Sequence, residues 1–400
     1  MNKQKLKTLP YLLLLFPFDI LVILVFAFVE VVALPMRIGR RLKELRASLK
    51  TTPPWKGGEF ASATTDSPPF QGGVARSAGV VFNKSRPSVT IQILNWDGRH
   101  LLEECLPHVI EAINHDGGGH EILVVDNGST DGSVQFVREH FPQVRVLALD
   151  RNYRFADGNN RGVRSVSTDI VVLLNNDMIV DRGFLRPLLD GFRDPWVFAV
   201  TSQVFFADPG LRREETGKTR GRFENGFFYL WHDEIHPGDE NRDTMPVFWA
   251  GGGSCAFDRM KYFEIGGLDL LYDPFYVEDT DLSYQAWKRG WKCVLAPASH
   301  VVHKHRGTSR PKFGDDFVDN TIRKNQFLFV WKNVTDFSMI VSHLVNLPRI
   351  HARAMLNGEP WFEIQAFLRA VRQLPEAVLK RLANMPRYVN RDREVLKFSR

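Results

Sequence analysis

Four clusters of polar side chains hold most of the chemistry that this 400-residue sequence offers. Three follow apolar runs and one is acidic: Asn95-Trp96-Asp97, Asp126-Asn127-Gly128-Ser129, Asn175-Asn176-Asp177 and Glu278-Asp279-Thr280-Asp281. Each alone has an ordinary interpretation, because Asp, Asn, Gly and Ser favour turns and acidic residues favour helix starts. The three that follow apolar runs would form a site if those runs were strands of one sheet.

The residue types in these clusters suit a nucleotide with a cation. A carboxylate at Asp126 can accept hydrogen bonds from a base or a ribose. The polar triplet that ends in Asp177 offers the oxygen ligands that Mg²⁺ and Mn²⁺ prefer. A divalent cation beside a nucleotide implies a bound diphosphate.

Alternating strand and helix patterns are expected to position these clusters. Strands are predicted over Val89–Leu94, Glu121–Val125, Val144–Leu149 and Asp169–Leu174, and helices over Leu101–Asn114, Asp131–His140 and Asp157–Val166. This alternation predicts an α/β fold with a mostly parallel sheet, in which ligands bind beyond the carboxyl ends of the strands. The common nucleotide motifs are absent, since neither G-x-G-x-x-G nor a G-x-x-x-x-G-K-[ST] loop follows the first strand.

Five motifs in order resemble glycosyltransferase family 2, and most its rhamnosyltransferase-like branch. They are VVDNGSTDGS (124–133), RNYRFADGNNRG (151–162), LLNNDM (173–178), GGGSCAFDRMKYFEIGGLDLLY (251–272) and EDTDLSYQAWKRGW (278–291). The resemblance covers about residues 88–335. It implies a Rossmann-like GT-A fold, a nucleotide-diphosphate sugar donor, a divalent cation and inversion at the anomeric carbon.

The resemblance also assigns donor-binding and metal-binding residues. The donor would contact residues from five segments: Asn95, Asp126, Asp157, Asn159, Gly162, Asn175, Asn176, Gly252 and Gly253. The cation would bind Asp177, the last position of the family's Asp-x-Asp motif, and His303, with His305 as the competing choice. The sequence departs from the motif at Asn175, where a carboxylate is usual, so an amide oxygen would replace a charged ligand.

Asp279 is the expected general base. Displacing a diphosphate by a sugar hydroxyl needs a base on the acceptor side and positive charge near the leaving group. In the family the second acid of the Glu278-Asp279 pair has this role, which leaves Glu278 a supporting one. An inverting displacement needs only one carboxylate, whereas glycoside hydrolases use two.

The N-terminus contains an apolar segment long enough for a membrane helix. Eighteen of the 24 residues from Tyr11 to Leu34 are Leu, Ile, Val or Phe, interrupted by Asp19 and Glu30. Basic residues lie on both sides, with the heavier group after the segment, which favours a cytoplasmic body. A single span, a re-entrant hairpin with both ends cytoplasmic, and a signal peptide all remain open.

Charge distribution separates the ends of the chain from its middle. Residues 1–50 and 349–400 each carry a net charge of +6, whereas residues 51–348 carry −6. Basic ends around an acidic body favour contact with anionic lipid and argue against nucleic acid as a partner. Three widely spaced cysteines fit neither a disulfide framework nor a zinc site. The basic tail is expected to be helical, either on the membrane surface or packed against the body.

These patterns predict a membrane anchor over residues 1–50, a linker over 51–87, a catalytic domain over 88–335 and a helical extension over 336–400. The predicted activity is non-processive sugar transfer to a lipid-linked or cell-surface glycan of the cell envelope, at the cytoplasmic side. Non-processivity is expected because Gln326 is followed by FLFVW and not by the Q-x-x-R-W pattern of polymerising relatives. The alternatives are a nucleotidyltransferase that builds sugar nucleotides and a non-catalytic sugar- or nucleotide-binding module.

Overall fold

The computed structural model describes residues 3–50, 87–208, 210, 214–304, 312–357 and 360–398. Nearly all of the expected linker, and His305, lie outside the described residues. The strands are β1 (Val89–Asn95), β2 (Glu121–Asp126), β3 (Arg145–Ala148), β4 (Ile170–Asn175), β5 (Met178–Val180), β6 (Val197–Phe206), β7 (Glu214–Thr216), β8 (Thr219–Glu224), β9 (Phe227–His232), β10 (Met245–Pro246), β11 (Ser254–Asp258) and β12 (Lys292–His303).

Helices precede the sheet, cover it and follow it. They are α1 (Lys3–Lys50), α2 (Arg99–His115), α3 (Ser133–His140), α4 (Arg154–Arg164), α5 (Leu185–Asp190), α6 (Arg259–Ile265), α7 (Glu278–Lys288), α8 (Asp315–Asn333), α9 (Phe337–Asn357), α10 (Pro360–Arg372), α11 (Leu374–Asn384) and α12 (Asp392–Phe398). The four strands and three helices predicted from the sequence are all present, with ends shifted by at most three residues.

The main sheet has the strand order β10-β12-β6-β11-β4-β1-β2-β3, with β5 paired to β12 and β7 to β6. Strands β1 to β4 are parallel, but β11 runs antiparallel to both β4 and β6. The expected mostly parallel sheet is therefore corrected to a mixed one. Its parallel half has the regular strand-helix alternation that sequence periodicity reveals, whereas β11 inserts between β4 and β6 from far along the chain.

Strand β4 shows why this sheet has two apolar faces. Its side chains alternate between two cores, with Val171 and Leu173 on one side and Ile170, Val172 and Leu174 on the other. A strand covered on both faces needs an unbroken apolar run, which is what the sequence IVVLL provides. Strand β1 lies between β2 and β4, so the carboxyl ends of these three strands line one crevice. The crevice is at the point where the strand order reverses, since β2 and β3 lie on one side of β1 and β4 on the other.

The C-terminal helices join the α/β body, which contains the main sheet, to the N-terminal helix. Helix α8 packs against α10 and α11, and α1 packs against α9 and α10. Of the two arrangements expected for the basic tail, the structure therefore shows packing on the body. One helix among the described residues is long and apolar enough to cross a membrane, at Pro10–Pro35 in α1.

Candidate active site

The carboxyl ends of β1, β2 and β4 meet in a hydrogen-bonded cluster. Asn95 Nδ2 donates to Asp126 Oδ1 at 3.1 Å, and Asn176 Nδ2 donates to Asn95 Oδ1 at 2.8 Å. The other Asp126 oxygen accepts from the Ser129 backbone N–H at 3.0 Å. Asn95 is fully buried and Asp126 is 2% exposed, so the cluster forms a fixed wall of the crevice.

The turn after β1 approaches this cluster so closely that it requires glycine. A Cβ built on Gly98 would lie 2.4 Å from Asn176 Nδ2 and 2.7 Å from Asn95 Oδ1. Both distances are too short for real carbon contacts. Gly98 therefore permits the amide chain that links β1 to the segment after β4, and the sequence analysis did not assign it a role.

Asp177 and His303 face each other at the next position along the crevice. His303 Nε2 lies 3.1 Å from Asp177 Oδ2, and both side chains are largely buried. The pairing of β5 with β12 places His303 opposite Met178, and the Lys304 backbone N–H donates to the Asp177 carbonyl at 3.1 Å. Residues 126 positions apart in the chain are thus held together by the sheet.

These two side chains fit a divalent cation that binds together with a substrate. One carboxylate oxygen and one imidazole nitrogen leave most coordination positions open, which suits a cation that also binds phosphate oxygens. Within the described ranges, no group of three or more His, Cys, Asp or Glu side chains could hold a metal ion alone. The protein would therefore supply part of the coordination shell and the diphosphate the remainder.

The glycine segment before β11 connects this region to Asp279. The Asn175 backbone N–H donates to the Gly253 carbonyl at 2.9 Å, and the Gly252 N–H donates to Asp279 Oδ2 at 3.1 Å. Asp279 Oδ1 also accepts from the Thr280 backbone N–H at 2.6 Å. The segment after β4 and the acidic start of α7 therefore lie on two sides of one short loop.

The neighbouring acids Glu278 and Asp279 differ in environment. Glu278 is 5% exposed, and its Oε2 has no hydrogen-bond partner among the described residues. Burial, together with the negative charge of Asp279, raises the pKa of Glu278 well above its usual range. Burial also raises the pKa of Asp279, but backbone N–H donors from Gly252 and Thr280 oppose that shift. Burial therefore disfavours the charged form of both acids, and backbone hydrogen bonds favour the charged form of Asp279.

The backbone before Asp279 has an uncommon conformation. Tyr276 and Val277 have backbone φ angles of 69° and 79°, which residues other than glycine rarely adopt. Asn325 of α8 holds this loop, because its Nδ2 donates to the carbonyls of Tyr272, Phe275 and Tyr276 at 2.7, 3.0 and 2.9 Å. Sequence reasoning missed Asn325, since nothing in a helical pattern shows which loop a buried amide will contact.

The third acid of the run, Asp281, faces away from the crevice. It is 1% exposed and accepts hydrogen bonds from Tyr272 Oη at 2.8 Å and Asn333 Nδ2 at 2.7 Å. Lys332 Nζ lies 2.5 Å from its Oδ2. Asp281 therefore belongs to the packing of α7 against α8.

Three residues expected to contact the ribose or diphosphate lie on α4. Asp157 pairs with Arg161 at 3.0 Å. Asn159 is buried and accepts a hydrogen bond from Gln92 Nε2 at 2.9 Å, while a Cβ on Gly162 would lie 2.4 Å from Gln92 Oε1. The contacts of Asn159 and Gly162 with Gln92 pack α4 on β1, whereas the Asp157 pair lies within α4. A donor contact at any of the three positions stays a prediction.

Comparisons with known proteins agree with the expectation from the motifs. Residues 88–262 match the sequence model of glycosyl transferase family 2. N-acetylgalactosaminyltransferase 6 of Drosophila melanogaster is 28% identical over 212 residues, covering 49% of this chain and 31% of its own length. N-acetylglucosaminyl-diphospho-decaprenol L-rhamnosyltransferase of Mycobacterium tuberculosis is 26% identical over 216 residues, covering 47% of this chain and 68% of its own.

Among solved structures, GalNAc-T7 with UDP, GalNAc and Mn²⁺ has a similar fold. The TM-score is 0.51 at 16% identity, over 75% of this chain and 58% of that chain. The expected GT-A fold is thus confirmed, with its mixed sheet and its added terminal helices. The chain carries a glycosyltransferase family 2 domain, and the prediction of a glycosyltransferase is confirmed.

Proposed function

We propose that this chain transfers one sugar at a time, with inversion, from a nucleotide-diphosphate sugar to a lipid-linked or cell-surface glycan acceptor. The donor binds in the crevice at the carboxyl ends of β1, β2 and β4. A divalent cation binds Asp177 and His303, and Asp279 is the general base. The chain is membrane-bound with its catalytic body in the cytoplasm, where nucleotide sugars are made.

The observation that carries this proposal is the pair of hydrogen bonds made by the glycine segment. Gly253 accepts from Asn175 beside the Asp177 end, and Gly252 donates to Asp279. A leaving diphosphate needs positive charge on one side of the anomeric carbon, and the attacking hydroxyl needs a base on the other. One short loop that bonds both to the end of β4 and to Asp279 supports placing the cation and the base at the same site.

The chain's own residues would share the reaction as follows. Asp126, Asn95 and Ser129 hold the nucleoside, and the buried amide chain through Asn176 fixes their orientation. Asp279 takes the proton from the acceptor hydroxyl as the new glycosidic bond forms. The raised pKa of Glu278 disfavours a second negative charge beside the base, and the raised pKa of Asp279 strengthens it as a base.

A bound cation would supply positive charge to the diphosphate oxygens as the bond to the sugar breaks. Asp177 and His303 provide the donor atoms for it, and the similarly folded GalNAc-T7 was solved with UDP and Mn²⁺. Asn175 in place of a carboxylate lowers the negative charge of the site. We therefore expect cation binding to depend strongly on the bound diphosphate.

The acceptor assignment rests on the N-terminal helix and on the relatives. The Pro10–Pro35 segment could hold the chain at a membrane, where lipid-linked glycans are found. The mycobacterial relative is named for a diphospho-decaprenol acceptor, and the fly relative for N-acetylgalactosamine transfer. The chain spans about a third of the fly protein and about two thirds of the mycobacterial one.

Thermal unfolding with UDP, dTDP and GDP sugars, each with and without Mn²⁺, tests the donor and cation assignments. A ligand present at 100 times its dissociation constant should add about 2.7 kcal/mol to the free energy of unfolding. We expect one nucleotide to stabilise the chain and Mn²⁺ to enhance that effect. Equal melting temperatures with all donors would contradict the proposed function.

A further inference from the structure

The apolar N-terminal helix is joined to the catalytic body along one face. Its buried residues recur every three or four positions, which defines a single stripe: Leu15, Asp19, Val22, Phe26, Val29 and Ala33. At 1.5 Å per residue the stripe is about 27 Å long. This length is close to the roughly 30 Å hydrocarbon thickness of a bilayer. The body therefore covers α1 over nearly the whole length that a membrane crossing would need.

Both acids of the apolar segment lie within this covered face. Asp19 Oδ1 is 3.1 Å from His351 Nε2 on α9, and His351 Nδ1 is 2.8 Å from Glu363 on α10. Glu30 Oε1 is 3.3 Å from Arg381 Nη2 on α11. Separating α1 from the body would expose two acids to lipid and leave a buried Arg without this partner, and both changes are unfavourable.

The opposite face of α1 is apolar and exposed. Its exposed side chains include Leu13, Leu14, Phe16, Ile20, Leu21, Leu24, Phe28, Val31, Val32 and Leu34. Helix α9 runs antiparallel beside α1. Its C-terminal half lies near Asp19, because His351 pairs with that acid. Its start follows the end of α8, where Arg381 bonds to a backbone carbonyl and also pairs with Glu30, farther along α1. Phe337, Val341 and Val345 of α9 are 60%, 40% and 73% exposed. We call these α1 and α9 side chains together the lipid face.

We infer that the chain is monotopic: the lipid face is embedded in one leaflet of an anionic bilayer, and α1 does not cross to the other side. A crossing helix would carry the charged body with it into the hydrocarbon region. Basic residues lie at both ends of the apolar segment, at Lys3, Lys5 and Lys7 and at Arg37, Arg40 and Arg41. Two basic ends suit one headgroup layer, since positive flanks disfavour translocation and attract anionic lipid.

This inference rests on the proposed membrane association, and it adds that both ends of α1 lie on the side of the body. The inferred arrangement shares with the re-entrant hairpin that both ends of the segment lie on the same side of the membrane. It differs because the segment is one long helix lying in one leaflet, without a bend. The active site would then stay at a constant height above the lipid surface.

Labelling of single cysteines in sealed membrane vesicles tests the topology with the full chain. The variants are Lys5→Cys before the apolar segment, Arg46→Cys after it, and Arg138→Cys as a marker on the exposed surface of α3. The three native cysteines are buried. A membrane-impermeant maleimide should label all three positions from the same side. Labelling of Lys5→Cys only from the side opposite Arg138→Cys would overturn the inference.

An environment-sensitive fluorophore tests whether α9 contacts lipid. At Val345→Cys, vesicles of phosphatidylcholine and phosphatidylglycerol should shift the emission to the blue. Leu379→Cys on α11 is the matched control, since Leu379 is 67% exposed and lies about 200° around the helix from Arg381. A blue shift that appears without vesicles and grows with protein concentration would indicate a second copy on this face and would refute the inference. No shift of the emission in the presence of vesicles would refute it as well. Failure to bind vesicles at all, with sugar transfer intact, would refute both the membrane association and this inference, and would leave the proposed sugar transfer standing.

Discussion

Asp281 and Lys332 form an ion pair of 2.5 Å in which both side chains are almost wholly buried. The three acids at the start of α7 have three different surroundings. Asp281 joins α7 to α8, Glu278 is buried with no partner for its Oε2 in the part of the chain that the structure describes, and Asp279 faces the glycine loop. The acids of one run at a helix start therefore need not share one function, because adjacent positions face different surroundings.

Asp281→Asn should destabilise the fold without affecting donor binding. The substitution leaves Lys332 buried with Asp269 as its remaining acidic partner, at 2.7 Å. The loss of unfolding free energy should therefore be smaller than the about 3–5 kcal/mol of a buried pair whose remaining charge has no partner. Denaturant unfolding at neutral pH measures this loss, with exposed Glu103→Gln as control. A loss equal to that of the control would show that the pair contributes no net stability.

Asp279→Asn should lower turnover at least about 10²-fold while donor affinity stays nearly constant. Asn retains an oxygen that can accept the Gly252 N–H, but it cannot take a proton from the acceptor. Steady-state kinetics and calorimetry of donor binding separate the two quantities. Glu278→Gln is the companion variant and should cost less turnover. If it cost more while Asp279→Asn remained active, the two roles would be exchanged.

Glu278→Gln should stabilise the fold by an amount that increases with pH. The pKa of Glu278 is raised in the folded chain, so the folded state keeps a proton that the unfolded state loses near pH 4.3. The wild type therefore loses stability as pH rises from the unfolded pKa to the folded one, and Gln removes that loss. Melting temperatures of both proteins from pH 4 upward measure the difference, which a solvated Glu278 would not produce.

Asp177→Ala should abolish the cation-dependent part of donor binding, and His303→Ala should weaken it. Removal of the carboxylate leaves the diphosphate charge poorly neutralised, whereas removal of the imidazole leaves the carboxylate in place. His305→Ala is the control and should have a smaller effect than His303→Ala. Calorimetry with and without Mn²⁺ measures each. Unchanged affinity in Asp177→Ala would mean that this position holds no cation.

Local signals in the sequence predicted the parallel half of the fold. The apolar runs of β1, β2 and β4 and the polar residues after them show strand positions and a shared edge without knowledge of distant contacts. The mixed half depends on pairings such as β11 with β4 and β6, which join segments more than fifty residues apart. Strand periodicity does not encode such partners or their direction.

The candidate site was predictable in its residue types but not in its supports. Asp126, Asp177 and Asp279 lie in recognisable motifs. The amide link between Asn176 and Asn95 and the contact of α8 with the loop before α7 follow only from three-dimensional packing. Likewise, the contact between Asp19 and His351 joins residues 332 positions apart, so no pattern in α1 alone could indicate it.

Asn325→Ala should lower turnover beyond what its loss of folding stability explains, because Asn325 is a positioning residue. Its side chain donates to three loop carbonyls, the last of them in Tyr276, within the strained Tyr276-Val277 pair before the Glu278-Asp279 acids. The two N–H groups of this amide contribute about 1–3 kcal/mol to folding, and their loss lets the loop relax.

Asn320→Ala is the matched control for Asn325→Ala, since Asn320 is also a buried amide on α8 but donates to the Phe362 carbonyl on α10. Both variants should lose similar stability in denaturant unfolding. Only Asn325→Ala should lower kcat and move the acidic limb of the kcat–pH profile, because only that change alters the surroundings of Asp279. Equal kcat values and pH profiles for the two variants would limit Asn325 to a structural role.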